Sequence, residues 1–115
     1  MAKPNIIQLS EFDITQKIIE SLSSVCTRAV LFSVKEEAKD ATQIAEQLKI
    51  SLSTVYKTLS NLEDLALVEV DKFVISNEGK KIKQYKSRIG KVEITLTSTD
   101  PVLNLYSNKT LPEED

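Results

Sequence analysis

Apolar positions recur at steps of three and four along the first two thirds of the chain and alternate with polar ones along much of the last third. The first regime is the period of helices packed on one face, the second that of strands. From Leu9 a helix is expected, with Ser10 at its N-cap and the acids Glu11 and Asp13 in its first turn, where the helix dipole favours negative charge. Ile14, Ile18, Leu22 and Val25 form one stripe, and Phe12 and Ile19 a second beside it. Residues 1–8, with Pro4 and no period, read as a frayed start. Ser23-Ser24 breaks the pattern and can cap a second helix, Val25 to Lys39, carrying Val25, Ala29, Phe32 and Ala38 among Val30, Leu31 and Val34.

The stretch from Thr42 to Leu62 organises the rest. A short helix places Ile44, Ala45 and Leu48 on one face, Lys49-Ile50 breaks it, and a new helix starts after Ser51. Ser51 is positioned as the N-cap, with Ile50 and Val55 at the two positions of a hydrophobic staple. Leu52, Val55, Leu59, Leu62 and Leu65 make the buried stripe of a helix reaching about Ala66. The other face presents Ser53, Thr54, Tyr56, Lys57, Thr58, Ser60 and Asn61: hydrogen-bonding groups, one cation and no carboxylate. Such a face suits the major groove of DNA, and the pair of helices reads as a helix-turn-helix.

Beyond it, Val68–Ile75 is expected as a strand, Ser76–Gly79 as a hairpin turn, Lys80–Arg88 as a second strand, and Lys91–Thr97 as a third after a turn at Gly90. The second strand alternates poorly, with lysines on both faces, which predicts a ribbon standing off the body. Asp100-Pro101 is read as opening a short helix through Tyr106, and the final TLPEED as disordered. The fold class is therefore mainly α with a small antiparallel sheet, an α+β winged helix-turn-helix with an extra N-terminal helix. Its parts are 1–23, a segment and helix for dimerisation, 24–97, the DNA-binding domain, and 98–115, a tail.

Composition narrows the function. The chain has 115 residues, enough for one domain with a core that needs neither disulfides nor metal. Its lone Cys26 excludes an internal disulfide, and the lack of any His argues against a zinc site and removes the commonest general base. With no glycine-rich phosphate loop and no clustered carboxylate pair, an enzyme has little support and no cofactor is expected. Cys26 lies near Arg28, as a redox thiol would want, but an apolar helix more often holds a core cysteine. No apolar run approaches a membrane span and the start lacks a signal peptide's apolar centre, so a cytoplasmic protein is expected. The sequon at Asn108-Lys109-Thr110 is discounted on the same ground.

Net charge is only −2, but it is segregated: Lys72 to Lys91 holds seven basic residues against Glu78, while Glu113, Glu114 and Asp115 close the chain. Local fields matter more to a polyanion than the total. The wide apolar arc of the first helix suggests one side on the domain and another on a second subunit, with Phe12, Ile14, Ile18, Ile19 and Leu22 as dimerisation residues; deep burial in its own domain is the other reading.

The pattern AxQIAEQLxIxxSTVYKTLxxLExLxLV, from Ala41 to Val68, resembles the winged helix-turn-helix regulators, nearest the small ArsR-like and MarR-like transcription factors, archaeal ones in particular. The likeness extends from Ser24 to about Leu96. It implies a DNA-binding regulator in which Thr42, Ser51, Ser53, Thr54, Tyr56 and Lys57 meet the duplex from the helices. Lys80, Lys81 and Lys83 of the wing then lie along the backbone or in the minor groove. Members commonly have glycine in the turn and after the recognition helix; here those positions are Lys49 and Ala66. The metal-sensing members use cysteine pairs or histidines, which this chain lacks. The expected partners are double-stranded DNA and a second copy of the chain, with neither metal nor membrane. The alternative is a winged helix that docks on a protein complex without reading DNA.

Overall fold

The computed structural model describes residues 5–109, with only the backbone for 5–13. Four helices, α1 (Asn5–Leu22), α2 (Val25–Ser33), α3 (Ala41–Leu48) and α4 (Leu52–Asp64), precede four strands, β1 (Val68–Ile75), β2 (Lys81–Ser87), β3 (Ile89–Thr95) and β4 (Val102–Ser107). The strands form two separate antiparallel hairpins, β1–β2 and β3–β4. This is the expected α+β class.

One core joins the helices to the bases of both hairpins. Val30, Leu31 and Val34, Ile44, Val55, Leu59 and Leu62, then Leu67, Val68, Tyr85 and Ile89 are all buried, and Ile18 and Leu22 of α1 close it. The stripe of α4 is as the spacing predicts in Val55, Leu59 and Leu62, but Leu52 at its start is exposed. Asn61, though exposed, donates to Ser21 Oγ at 2.9 Å and so ties α4 to α1.

Local chemistry explains the helix ends. Ser24 accepts from Thr27 N–H, and Ser51 from Thr54 N–H, both as N-caps. Asp40 and Gln43 form a reciprocal capping box at α3. Helix α2 stops at Ser33 instead of Lys39 because Lys39 turns into extended backbone and pairs with Tyr85 of β2. Helix α1 begins at Asn5, so Ser10 lies within it and is not its cap.

Lys49 and Ala66 both adopt the left-handed conformation, at φ 59° and 62°. After α4 the chain makes a Schellman turn: Leu67 N–H reaches Leu62 O and Ala66 N–H reaches Glu63 O, each at 2.9 Å. Ile50 N–H similarly reaches back to Ala45 O at 3.2 Å. A side chain at positive φ costs ~1–2 kcal/mol, while glycine loses ~0.5–1 kcal/mol more backbone entropy on folding. Lys49→Gly and Ala66→Gly are each expected to stabilise the chain by about 0.5 kcal/mol, read as a higher denaturant midpoint with an unchanged slope. A lower midpoint for both would contradict the strain assigned to these turns.

The last third departs most from expectation. Val68–Ile75 and its turn are as predicted, but Gly90 is no turn: it lies inside β3 at a bulge, where a Cβ would come within 3.1 Å of Ser107 O and 3.2 Å of Asn108 Cα. Residues 102–107 are not a helix but β4, paired with β3 from Ile89↔Ser107 to Thr95↔Val102. Asp100-Pro101 thus belongs to the hairpin connection, a use of turn residues equally open to them. The tail 110–115 lies outside the described residues.

A candidate nucleic-acid interface

Strand β2 is held along its outer edge to the connection between α2 and α3. Lys39 N–H donates to Tyr85 O at 3.1 Å, Tyr85 N–H returns to Lys39 O at 2.8 Å, and Ser87 N–H donates to Val34 O at 3.0 Å. Tyr85 and Ser87 are consequently buried, which corrects the reading of β2 as a ribbon with no buried face. Only its outer part, with the turn, projects. Burial, and less so the charge of Glu63 and the hydroxyl of Tyr56, pushes the Tyr85 phenol above its ordinary pKa, so it stays a neutral core group.

This anchoring sets the outer part of the β1–β2 hairpin beside α4. Thr42 from the start of α3, Tyr56 from α4, and Lys80, Lys81 and Lys83 line a single open groove of about 680 Å³, floored by Ala41, Ile82 and Tyr85. Among the described residues Asp40 is its one carboxylate, and Asp40 Oδ1 is engaged by Gln43 N–H at 2.8 Å in the capping box. Lys81 Nζ lies 5.0 Å from the centre of the Phe73 ring, a contact that holds its stem across the hairpin.

Ser51, Ser53, Thr54 and Lys57 are exposed on the first turns of α4 and lie outside that groove's lining. Ser51 is committed to the cap: Ser51 Oγ accepts from Thr54 N–H at 3.1 Å and donates to Thr54 Oγ1 at 2.8 Å. Thr54 keeps its own hydroxyl proton for an outward bond. Tyr56 is half exposed, at 53%.

The basic run from Lys72 to Lys91 is not one patch. Lys86 Nζ is drawn to Glu36 O at 3.0 Å. Lys91 belongs to the second hairpin, 3.3 Å from Glu93 Oε2 and over the Tyr106 ring. The Tyr106 hydroxyl and the Lys91 ammonium both bind Glu93 and hold its carboxyl below the usual range, while Glu93 raises the Tyr106 phenol.

Of the five dimerisation residues expected on α1, Ile18 and Leu22 are filled into the chain's own core at 4% and 5% exposure. Ile14 is exposed, Ile19 half-buried, and the Phe12 side chain lies outside the described residues. Arg28 is not available to Cys26 in the way its position suggests, since its guanidinium donates to Leu22 O at 2.7 Å and closes the end of α1.

Two features, the capping box and Asn108, escape the sequence reading. The capping box had a signal, Asp40-x-x-Gln43 ahead of an apolar run. Asn108 had none beyond its sequon: it is buried, and its amide donates to both Lys35 O and Ser87 O at 2.9 Å. Among the described residues there is no group of His, Cys, Asp and Glu side chains placed to hold a metal ion, and no helix long and apolar enough to cross a membrane.

A family model described as sugar-specific transcriptional regulator TrmB matches residues 29–86, half of the chain. The match runs from α2 through α3 and α4 to the end of the wing, and leaves α1 and the β3–β4 hairpin outside it. No curated protein matches the chain. The stretch that builds the groove is the stretch that defines the family: the chain belongs to the TrmB family of transcriptional regulators, a winged helix-turn-helix family.

Proposed function

We propose that this regulator binds double-stranded DNA as a homodimer, with the exposed start of α4 in the major groove and the wing on the backbone or in the minor groove. The observation that carries the reading is the groove shared by Thr42, Tyr56, Lys80, Lys81 and Lys83, whose only carboxylate is occupied in a helix cap. Beside it, α4 exposes Ser53, Thr54 and Lys57 with no acid among them. The likeness of Ala41–Val68 to ArsR-like and MarR-like regulators, archaeal ones in particular, supports the same use of these elements. The family description names a sugar, but residues 29–86 are the helices and wing, so the match supports the regulator reading here rather than a sugar site.

Lysines supply affinity by releasing counterions from phosphate. Hydroxyl groups supply the sequence preference, and none offers the two-pronged fit of arginine to guanine, so specificity is moderate and gains from two half-sites about one helical turn apart. The site of action is the compartment that holds the DNA, the cytoplasm in a cell without a nucleus.

The test is titration of a random-sequence duplex across salt concentrations. A log–log slope corresponding to about four or more phosphate contacts is the expected result. No binding at low salt overturns the reading and leaves a winged helix that docks on protein.

A further inference from the structure

Natural sheets guard their free edges with charge, proline or cover, because an unguarded edge invites another strand. Three of the four strands here obey. β1 carries Glu69, Asp71 and Lys72, β3 carries Lys91 and Glu93, and β2 is bonded to Lys39 and Val34. β4, with the sequence VLNLYS, has neither charge nor proline. Among the described residues its backbone bonds to β3 on one side and to nothing on the other.

The hairpin is also short of cover. Val92 and Leu103 pack on the core, but Ile94 and Leu105, on the same face by the pairing register, remain 43% and 40% exposed. A two-stranded hairpin is marginal in water on its own.

We propose that β4 is the edge on which a second copy of this chain docks, antiparallel to itself about a twofold axis, joining two hairpins into one four-stranded sheet. A twofold perpendicular to the sheet keeps faces aligned, which limits the register to those in which one residue faces its own copy. With Asn104 opposite its own copy, Leu103 meets Leu105 of the other chain on one face, and Val102 meets Tyr106 on the other. At the ends, Asp100 of each copy comes beside Lys109 of the other. The strand is self-complementary: apolar against apolar, amide against amide, acid near base. An interface built on six residues a side is smaller than the standard ~800 Å² per partner, so the dimer forms at micromolar rather than nanomolar concentration. This supplies an interface for the homodimer of the proposed function in place of the α1 stripe, of which the core already uses Ile18 and Leu22. Its test reads mass and cross-linking, not DNA binding, so the two readings fail separately.

Sedimentation of the full chain at about 100 µM, a concentration set for a micromolar dimer, is expected to give twice the 12.9 kDa chain mass. Leu105→Lys, at a half-exposed position that folding tolerates, returns it to monomer, while Ile14→Asp on α1 leaves the dimer intact. In a Cys26→Ser background, Asn104→Cys cross-links under mild oxidation, since facing strand residues have Cα atoms about 4.5–5.5 Å apart. Glu93→Cys does not, because three strand spacings put the two copies about 14 Å apart. A monomeric native chain, a dimer that survives Leu105→Lys, loss of the dimer in Ile14→Asp alone, or equal cross-linking of both cysteine variants overturns the proposal.

Discussion

Replacing Lys80, Lys81 and Lys83 together with alanine is expected to weaken binding to a random-sequence duplex on the order of a hundredfold at about 0.1 M salt, and to flatten its salt dependence by up to about 2.7 in the log–log slope, some 0.9 for each phosphate no longer neutralised. The loss is a binding effect, not unfolding. All three side chains are exposed, and the only contact among them is Lys81 over Phe73, which contributes ~0.5–1 kcal/mol at such a site. Thermal melting of the triple variant should therefore move by a few degrees at most. Lys91→Ala is the companion measurement. It removes an equal charge from the same basic run, but from a side chain tied to Glu93 on the other hairpin, and should leave the slope as it was. If the triple variant keeps the native slope, the wing does not carry the phosphate contacts, and the protein-docking alternative takes precedence.

That contrast between Lys83 and Lys91 also shows where sequence reading reaches and where it stops. The helix-turn-helix was legible because its signals are local: a cap at Ser51, a stripe at Val55, Leu59 and Leu62, and a break at Lys49. The first hairpin is legible for the same reason, from the turn at Ser76–Gly79 after the strand pattern of Val68–Ile75. Charge along the chain said nothing of which lysines share a surface, because that depends on two long-range bonds between Lys39 and Tyr85 that no spacing announces. The same bonds end α2 six residues early, tertiary pairing overriding helical propensity. β4 was missed through an ambiguity of chemistry. Ser-Thr-Asp-Pro opens a helix or makes a turn equally well, and the alternation of Leu103, Asn104 and Leu105 is too short to decide. The apolar arc of α1 suggests a subunit contact; Ile18 and Leu22 of that arc complete the core of a small chain, while Ile14 stays exposed.

Asn108→Ala is expected to cost about 2–4 kcal/mol, because it takes the amide donor from one buried and one part-buried carbonyl, at about 1–3 kcal/mol each, with partial relief where water enters. Asn108 is 3% exposed, its amide bridges Lys35 O after α2 and Ser87 O at the end of β2, and its backbone N–H donates to Arg88 O at 3.0 Å. One side chain thus fastens the second hairpin to the helices and to the wing's base. In a domain of this size each kcal/mol moves the melting temperature by roughly 4–6 °C, so a fall on the order of 10 °C or more should appear in a thermal melt. Asn108→Asp separates the hydrogen bonds from the volume. It keeps the shape but turns a donor into a charged acceptor facing two carbonyls, and at pH 7 should be at least as damaging as alanine. Burial beside those oxygens raises the pKa of that carboxyl in the folded state above its unfolded value of about 3.9. The folded state then binds a proton the unfolded state has lost, so the penalty grows as pH rises above the unfolded value and shrinks on acidification. A variant pair with equal, pH-independent losses under about 1 kcal/mol, the least that one stranded carbonyl costs, would mean that Asn108 merely fills space. The hairpin would then owe its attachment to Ile89, Val92 and Leu103 alone, all of which pack on the core.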